Sequence, residues 1–172
     1  MRIIIAVFFL TFSINAQEFL QAKIVKKDND TIYTKIQIPF NPTNPKLFTF
    51  NTLNEKIKIN VSDIKELTIT DLSSNSQLFI AEGKFLSKII FKGNIIKWYR
   101  TYVRNAYDGS IMENDYMVNE NNEKFKFGLF NNKREKLKEI TFLHSTPELI
   151  KLIENMKMTD ENILMILKKY EE

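Results

Sequence analysis

Apolar residues recur at every second position through most of this chain, and at helical spacing only near its C-terminus. That change of period constrains the fold more than any other feature of the sequence. A period of two sends alternate side chains to opposite faces of a strand, whereas apolar positions three and four apart make one face of a helix. Ile32, Thr34, Ile36 and Ile38 alternate with Tyr33, Lys35 and Gln37, and Ile57, Ile59 and Val61 share one face further on. Residues 21–26 and 31–38 flank the polar stretch Lys27-Asp28-Asn29-Asp30, which reads as a hairpin. Further strands are predicted at 47–50, 56–61, 64–70, 78–81, 85–91 and 95–103, with a local break at Ser62-Asp63. Residues 40–45 carry two prolines and two asparagines and read as a loop, because proline cannot donate to a ladder. Gly93-Asn94 is expected to supply the positive φ of a tight hairpin turn. Residues 105–115 read as an irregular loop, and 116–118 is expected to pair with 125–129.

From residue 132 the period becomes helical. Leu137 and Ile140 share one side of a Lys- and Glu-rich segment, 132–143. His144-Ser145-Thr146-Pro147-Glu148 has a hydroxyl cap, a proline for the first turn and an acid for the positive end of a helix. Leu149, Leu152, Ile153 and Met156 follow at helical spacing. Thr159 caps a last helix, with Met158 and Ile163 placed to staple its start and Ile163, Ile166, Leu167 and Tyr170 as its apolar stripe. Strands first and helices last predict an α+β domain. The expected architecture is an antiparallel sheet or partly closed barrel of about seven to nine strands, followed by two or three C-terminal helices. Strands are expected within 17–130 and helices within 131–172 of a single domain, 17–172, and no internal repeat is apparent.

Residues 1–16 read as a secretory signal peptide. Met1-Arg2 supplies a positive start, residues 3–12 are apolar, and Ser13-Ile14-Asn15-Ala16 leads to a cleavage point before Gln17. The apolar run is too short to cross a bilayer as a helix, which takes about twenty residues. No later stretch is apolar enough to span, so no transmembrane segment is expected after cleavage. The expected location is the periplasm or the extracellular space. The chain has no cysteine, which excludes a thiol nucleophile, a Cys-ligated zinc and disulfide staples. Its four glycines do not cluster into a phosphate-cradling loop. The formal charge of +4 is mild, and the cations are mostly lysines interspersed with acids. They imply a weak pull toward anionic lipid or polysaccharide.

Several segments resemble a group of small exported proteins of Bacteroidota-type bacteria of unknown function. They are the hairpin at 24–36, the break at Val61-Ser62-Asp63-Ile64-Lys65, FLSKIIFKGNIIKWY at 85–99, and the STPEL helix start at 145–149 followed by a second helix ending at Lys169-Tyr170. The sequence departs from that pattern at Tyr33-Thr34, where a glycine is expected after the hairpin. The resemblance implies an exported α+β protein and carries no catalytic residues.

His144 is the single histidine, so no His-rich metal site can form, and its place before a helix start points to a structural role. The acidic clusters Asp28/Asp30, Asp63/Glu66 and Asp108/Glu113/Asp115 read mainly as turn chemistry. Paired across a cleft, such carboxylates would suit a hydrolase of envelope polymers, which is the alternative reading. Residues 105–115 lack the spacing of a calcium loop. The candidate binding residues are Trp98, Arg100, Tyr102 and Arg104, which alternation puts on one side of a strand opposite Tyr99, Thr101 and Val103. Aromatics interleaved with cations can stack on bases or sugars, the other reading being a strand whose aromatics pack under the helices while its arginines reach out to solvent, and export disfavours nucleic acid. The sequence therefore predicts a non-enzymatic envelope domain, without cofactor or metal, that binds a protein, peptide or glycan. A purely assembly role, with the amphipathic helices docked on another envelope protein, is a further possibility.

Overall fold

A computed structural model of the chain describes residues 18–127 and 133–172. The signal-peptide expectation therefore lies outside the described residues, as does 128–132 between the last strand and the first helix. The fold is α+β, with strands followed by helices as the change of period predicts. The strands are β1 (Glu18–Lys26), β2 (Thr31–Ile38), β3 (Lys46–Phe50), β4 (Lys56–Asn60), β5 (Ile64–Thr70), β6 (Ser76–Glu82), β7 (Phe85–Lys92), β8 (Lys97–Arg104), β9 (Ile111–Val118) and β10 (Lys124–Lys126). The helices are α1 (Lys133–Thr141), α2 (Pro147–Asn155) and α3 (Asp160–Tyr170).

All ten strands join one antiparallel sheet in the order β10-β9-β8-β7-β6-β5-β1-β2-β3-β4. Its end strands do not pair, so the sheet is open and larger than expected. The first half of β9 accounts for part of the difference. Residues 111–115 are not loop: Ile111 pairs with Arg104 and Asp115 with Arg100.

One face of the sheet carries two hydrophobic cores. The helices cover the β7–β10 end, where Trp98, Met117 and Ile96 pack with Leu137, Ile153, Ile163 and Leu167. Thr146 caps α2 by accepting from Leu149 N at 3.2 Å, and Thr159 caps α3 by accepting from Asn162 N at 3.4 Å. The second core lies over β1, β2, β5, β6 and β7, with Ile24, Ile36, Leu67, Phe79 and Leu86 buried. No helix belongs to it. The chain covers it by folding back on itself. Strands β2 and β3 share only two residue pairs, Lys35–Phe50 and Ile36–Thr49. Leu47 and Ile59 of the β3–β4 hairpin, with Val61 of the 3-10 turn Val61–Asp63, enter the same core. Val61 N donates to Pro45 O at 3.0 Å, and Leu86 N to Pro42 O at 3.1 Å, so the proline loop is tied to β7.

Three hairpins use one turn module that the linear sequence hides. In 51–55, 71–75 and 119–123 the first residue is Asn or Asp, and its side-chain oxygen accepts from the third and fifth amides at 2.8–3.0 Å. The fourth residue has positive φ, at Asn54 (59°), Ser74 (65°) and Asn122 (63°). A side-chain amide bonds first to fifth, as in Asn51 Nδ2 to Glu55 Oε2 at 2.7 Å. The Asn75 side-chain and backbone amides hold the Asp71 carboxyl below its ordinary range. Residues 26–30 keep the same backbone, with Asn29 at φ 67° and a Lys26–Asp30 ion pair of 3.0 Å as the cross-link. A type I turn followed by a left-handed residue matches the twist of paired strands.

The β7–β8 turn works differently from expectation. Neither Gly93 nor Asn94 has positive φ. The amides of Asn94, Ile95 and Ile96 instead converge on the Glu171 carboxylate, at 2.7, 2.9 and 2.8 Å. Successive amides of this kind form a nest for an anion. A Cβ at Gly93 would overlap Glu171 Oε1 and stand 2.7 Å from Ile96 O. Glycine is needed here for close approach, and the carboxylate fastens the end of α3 to the sheet. Glu171→Ala is expected to cost about 1–2 kcal/mol in urea unfolding, as charge-assisted bonds at a partly exposed site are lost. Gly93→Ala should destabilise too, and the double variant should fall short of the sum of the two. Full additivity would mean that the two residues act independently.

Candidate functional site

Trp98, Arg100, Tyr102 and Arg104 share one side of β8, but they meet four different environments. Trp98 is fully buried beneath the helices, so its ring is not open to a ligand. Its indole Nε1 has no hydrogen-bond partner among the described residues.

Arg100 lies at the seam between the two cores. It meets the Asp115 carboxylate with two bonds, Nε to Oδ1 at 2.8 Å and Nη2 to Oδ2 at 2.9 Å. Nη2 also reaches Asp160 Oδ2, in the first turn of α3, at 2.6 Å, and Nη1 lies 3.2 Å from Glu113. Lys133 of α1 stands 3.7 Å from Asp160. The bond to Asp115, followed by that to Asp160, pushes the guanidinium pKa further up. Burial lowers the pKa of Lys88, with Arg100 adding to the effect. This cluster joins the sheet to α1 and α3 and leaves Arg100 no free edge.

Tyr102 is half-buried against the second core, and burial, followed by Glu113, raises its phenol pKa. Arg104 is exposed and pairs with no carboxylate among the described residues. Its guanidinium lies beside Gly109, where a Cβ would come within 3.3 Å of Nη2. Tyr102 and Arg104 line an open cleft of about 480 Å³, together with Val103 and Phe85. The opposite wall is the proline loop, through Asn41, Thr43, Asn44 and Pro45. That loop is shaped by its own side chains. Asn41 Oδ1 accepts from Thr43 N at 2.9 Å and Thr43 Oγ1 at 2.7 Å, and Asn44 Oδ1 accepts from Lys46 N at 3.0 Å. Ile38-Pro39 is a cis peptide. Asn41 Oδ1 accepts two bonds and Asn44 Oδ1 one, and each side-chain NH2 group remains as a donor toward the cleft. The cleft is thus donor-rich, flanked by an exposed phenyl and a phenol, with one cation and no acid in its lining.

Sequence reading found two of these residues and missed Phe85 and the loop wall. The signals were present: Phe85 follows the tight Gly83-Lys84 turn, and 40–45 is rich in Asn and Pro. The predicted acidic clusters lie elsewhere. Asp28 and Asp108 accept from amides two residues on, Asp63 bonds Asn60 and Ser62, and Glu113 and Asp115 bind Arg100. No grouping of His, Asp and Glu suited to a metal occurs among the described residues. His144 is exposed, 3.8 Å from Glu120 and beside Tyr170. The stripe of α3 faces inward, whereas Phe142 and Leu143 are exposed on the 3-10 turn Phe142–His144. No described helix is long and apolar enough to cross a membrane.

The outer face of the sheet carries a separate polar cluster. Tyr99 and Tyr116 stack at 5.0 Å, and Tyr116 donates to Glu82, which also accepts from Ser87 at 2.6 Å. Lys124 lies 3.4 Å above the Tyr116 ring. No protein-family profile, curated protein or solved structure matches this chain.

Arg100→Ala should destabilise by about 3–5 kcal/mol, because it strands the buried Asp115 carboxylate. Arg100→Met combined with Asp115→Asn should recover much of that loss in urea unfolding. At Tyr116, burial and then Glu82 raise the phenol pKa. The unfolded chain therefore releases this proton first as pH rises past about 10, and the native state loses stability there. Tyr116→Phe should flatten the decline of melting temperature above that pH, and an unchanged slope would assign the decline to other groups.

Proposed function

We propose that the chain is an exported cell-envelope protein that acts by binding, without catalysis, and that it takes a peptide or glycan partner in the cleft between the β7–β8 end and the proline loop. The observation that carries this reading is the lining of the cleft. Phe85, Tyr102, Arg104, Asn41, Thr43 and Asn44 offer apolar faces and hydrogen-bond donors, the equipment of recognition. The carboxylate pair of a glycoside hydrolase would have to face across the cleft, and no carboxylate lines it. Arg104 supports the reading further, because an exposed cation that pairs with no carboxylate among the described residues can meet an external anion. Export rests on the charged, apolar and small-residue order of residues 1–16.

The test compares wild type with a Phe85→Ala/Arg104→Ala variant on peptide and glycan arrays. Both side chains are exposed, so the melting temperature should stay close to wild type. Binding of the wild type's best ligands should fall about tenfold or more, the effect of losing ~1.4 kcal/mol of contact. Retention of every ligand by a folded variant would move the site elsewhere on the molecule.

A further inference from the structure

The proline loop has a second cleft on its other side. It is lined by Lys46, Lys56, Phe48, Phe50 and Gln37, and it shares Asn41 and Asn44 with the Arg104 cleft. Its volume is about 210 Å³, and its lining, too, contains no acid. The outward face of the β3–β4 hairpin explains the charge. Register pairs Phe48 with Lys58 and Phe50 with Lys56, and puts Lys46 diagonally next to Lys58. Lys56 Nζ lies 4.2 Å over the Phe48 ring. Lys35 and Lys23 continue this face across β2 and β1, through the pairs Lys35–Phe50 and Lys23–Tyr33. No carboxylate lies within ion-pair distance of any of these lysines among the described residues, and Lys58 stands just beyond this cleft, at the edge of a neighbouring one that Asp28 and Asp63 also line. The neighbouring Lys46 ammonium pushes the Lys58 pKa below its ordinary value. Like charges on adjacent strands oppose folding, and no ion pair within the described protein offsets this pair.

We infer that the two clefts form one track for a linear carboxylate-bearing polysaccharide, which crosses the proline loop between Arg104 on one side and the Lys46–Lys58 pair on the other. The inference rests on the binding reading proposed above and narrows its ligand class. Three features select that class. Cations that pair with no carboxylate among the described residues recur along a path, which matches an anion repeated along a chain. Sugar faces stack on exposed aromatic rings, and Phe85 and Phe48 are exposed, one at each end. The free side-chain amide groups of Asn41 and Asn44 stand between the ends, where hydroxyl and ring oxygens would pass. A charge pair that weakens the fold and serves a ligand also explains why Lys46 and Lys58 stand together.

The experiment measures binding of the purified full chain to polygalacturonate, to neutral dextran, and to vesicles of phosphatidylglycerol. Wild type should bind polygalacturonate, weaken steeply between low and physiological salt, and ignore dextran. Lys46→Gln/Lys58→Gln should lower polygalacturonate affinity about tenfold, with a melting temperature equal to or above wild type. Arg104→Gln, on the far side of the loop, should lower it independently. Loss on Arg104→Gln with no effect of the lysine pair would overturn the track and leave the single-cleft reading standing. No effect of either variant would overturn both. Binding to vesicles but not to polygalacturonate, or equal binding to dextran, would overturn the ligand class. A lower melting temperature for Lys46→Gln/Lys58→Gln would assign the pair a structural role and overturn its assignment to a ligand.

Discussion

A ten-stranded sheet presents more apolar face than three short helices can cover, and the rest of this structure follows from how the remainder is buried. Exposed apolar surface costs roughly 25 cal/mol per Å², so the uncovered half of the face cannot stay open. The helices take the β7–β10 end. The β3–β4 hairpin, the 3-10 turn and the proline loop take the other. Where the two covers meet, a polar seam is unavoidable, and Arg100 fills it. Its guanidinium satisfies Asp115 beside it on the sheet and Asp160 on α3 at once. One cation thereby fixes the boundary of both cores and the seating of the helical layer. Glu171 makes the second fastening at the far end of α3.

The same seam explains what could be read from the sequence. Alternating segments with large apolar residues, such as 31–38 and 64–70, were legible because burial alone determines their pattern. The first half of β9 was not. Asp115 points toward the buried face, which breaks the alternation, and only the opposed Arg100 on β8 makes it tolerable. The partner lies on another strand, so no window along β9 can reveal it. Gly93 is a similar case. A Gly-Asn pair signals a positive-φ turn, yet the real requirement is room for a carboxylate from the C-terminus. The helix starts were legible because a cap acts within four residues, and Thr146 and Thr159 need nothing from elsewhere.

The candidate site was half legible for a related reason. Alternation correctly put Trp98, Arg100, Tyr102 and Arg104 on one side, but that side runs from the middle of one core, across the seam, past the second core and out to solvent. One strand therefore carries a core residue, a structural ion, a half-buried phenol and a free cation in succession. Facing direction is a local property. Depth depends on which cover lies above, and here the cover changes along β8.

The same geometry also divides the cations of the molecule by what they touch. Arg100 is held by three carboxylates at the seam, and on the surface Lys138 pairs with Glu154 and Lys169 with Glu148. The cations around the proline loop have no such partner among the described residues. The loop itself is tied down by backbone hydrogen bonds at Pro42 and Pro45 and shaped by its asparagines. Walls shaped in advance reduce the ordering cost of binding, which otherwise consumes much of the interaction energy. The cover that the sheet required for its second core thus supplies a fixed, donor-rich surface at the point where the cations are unpaired.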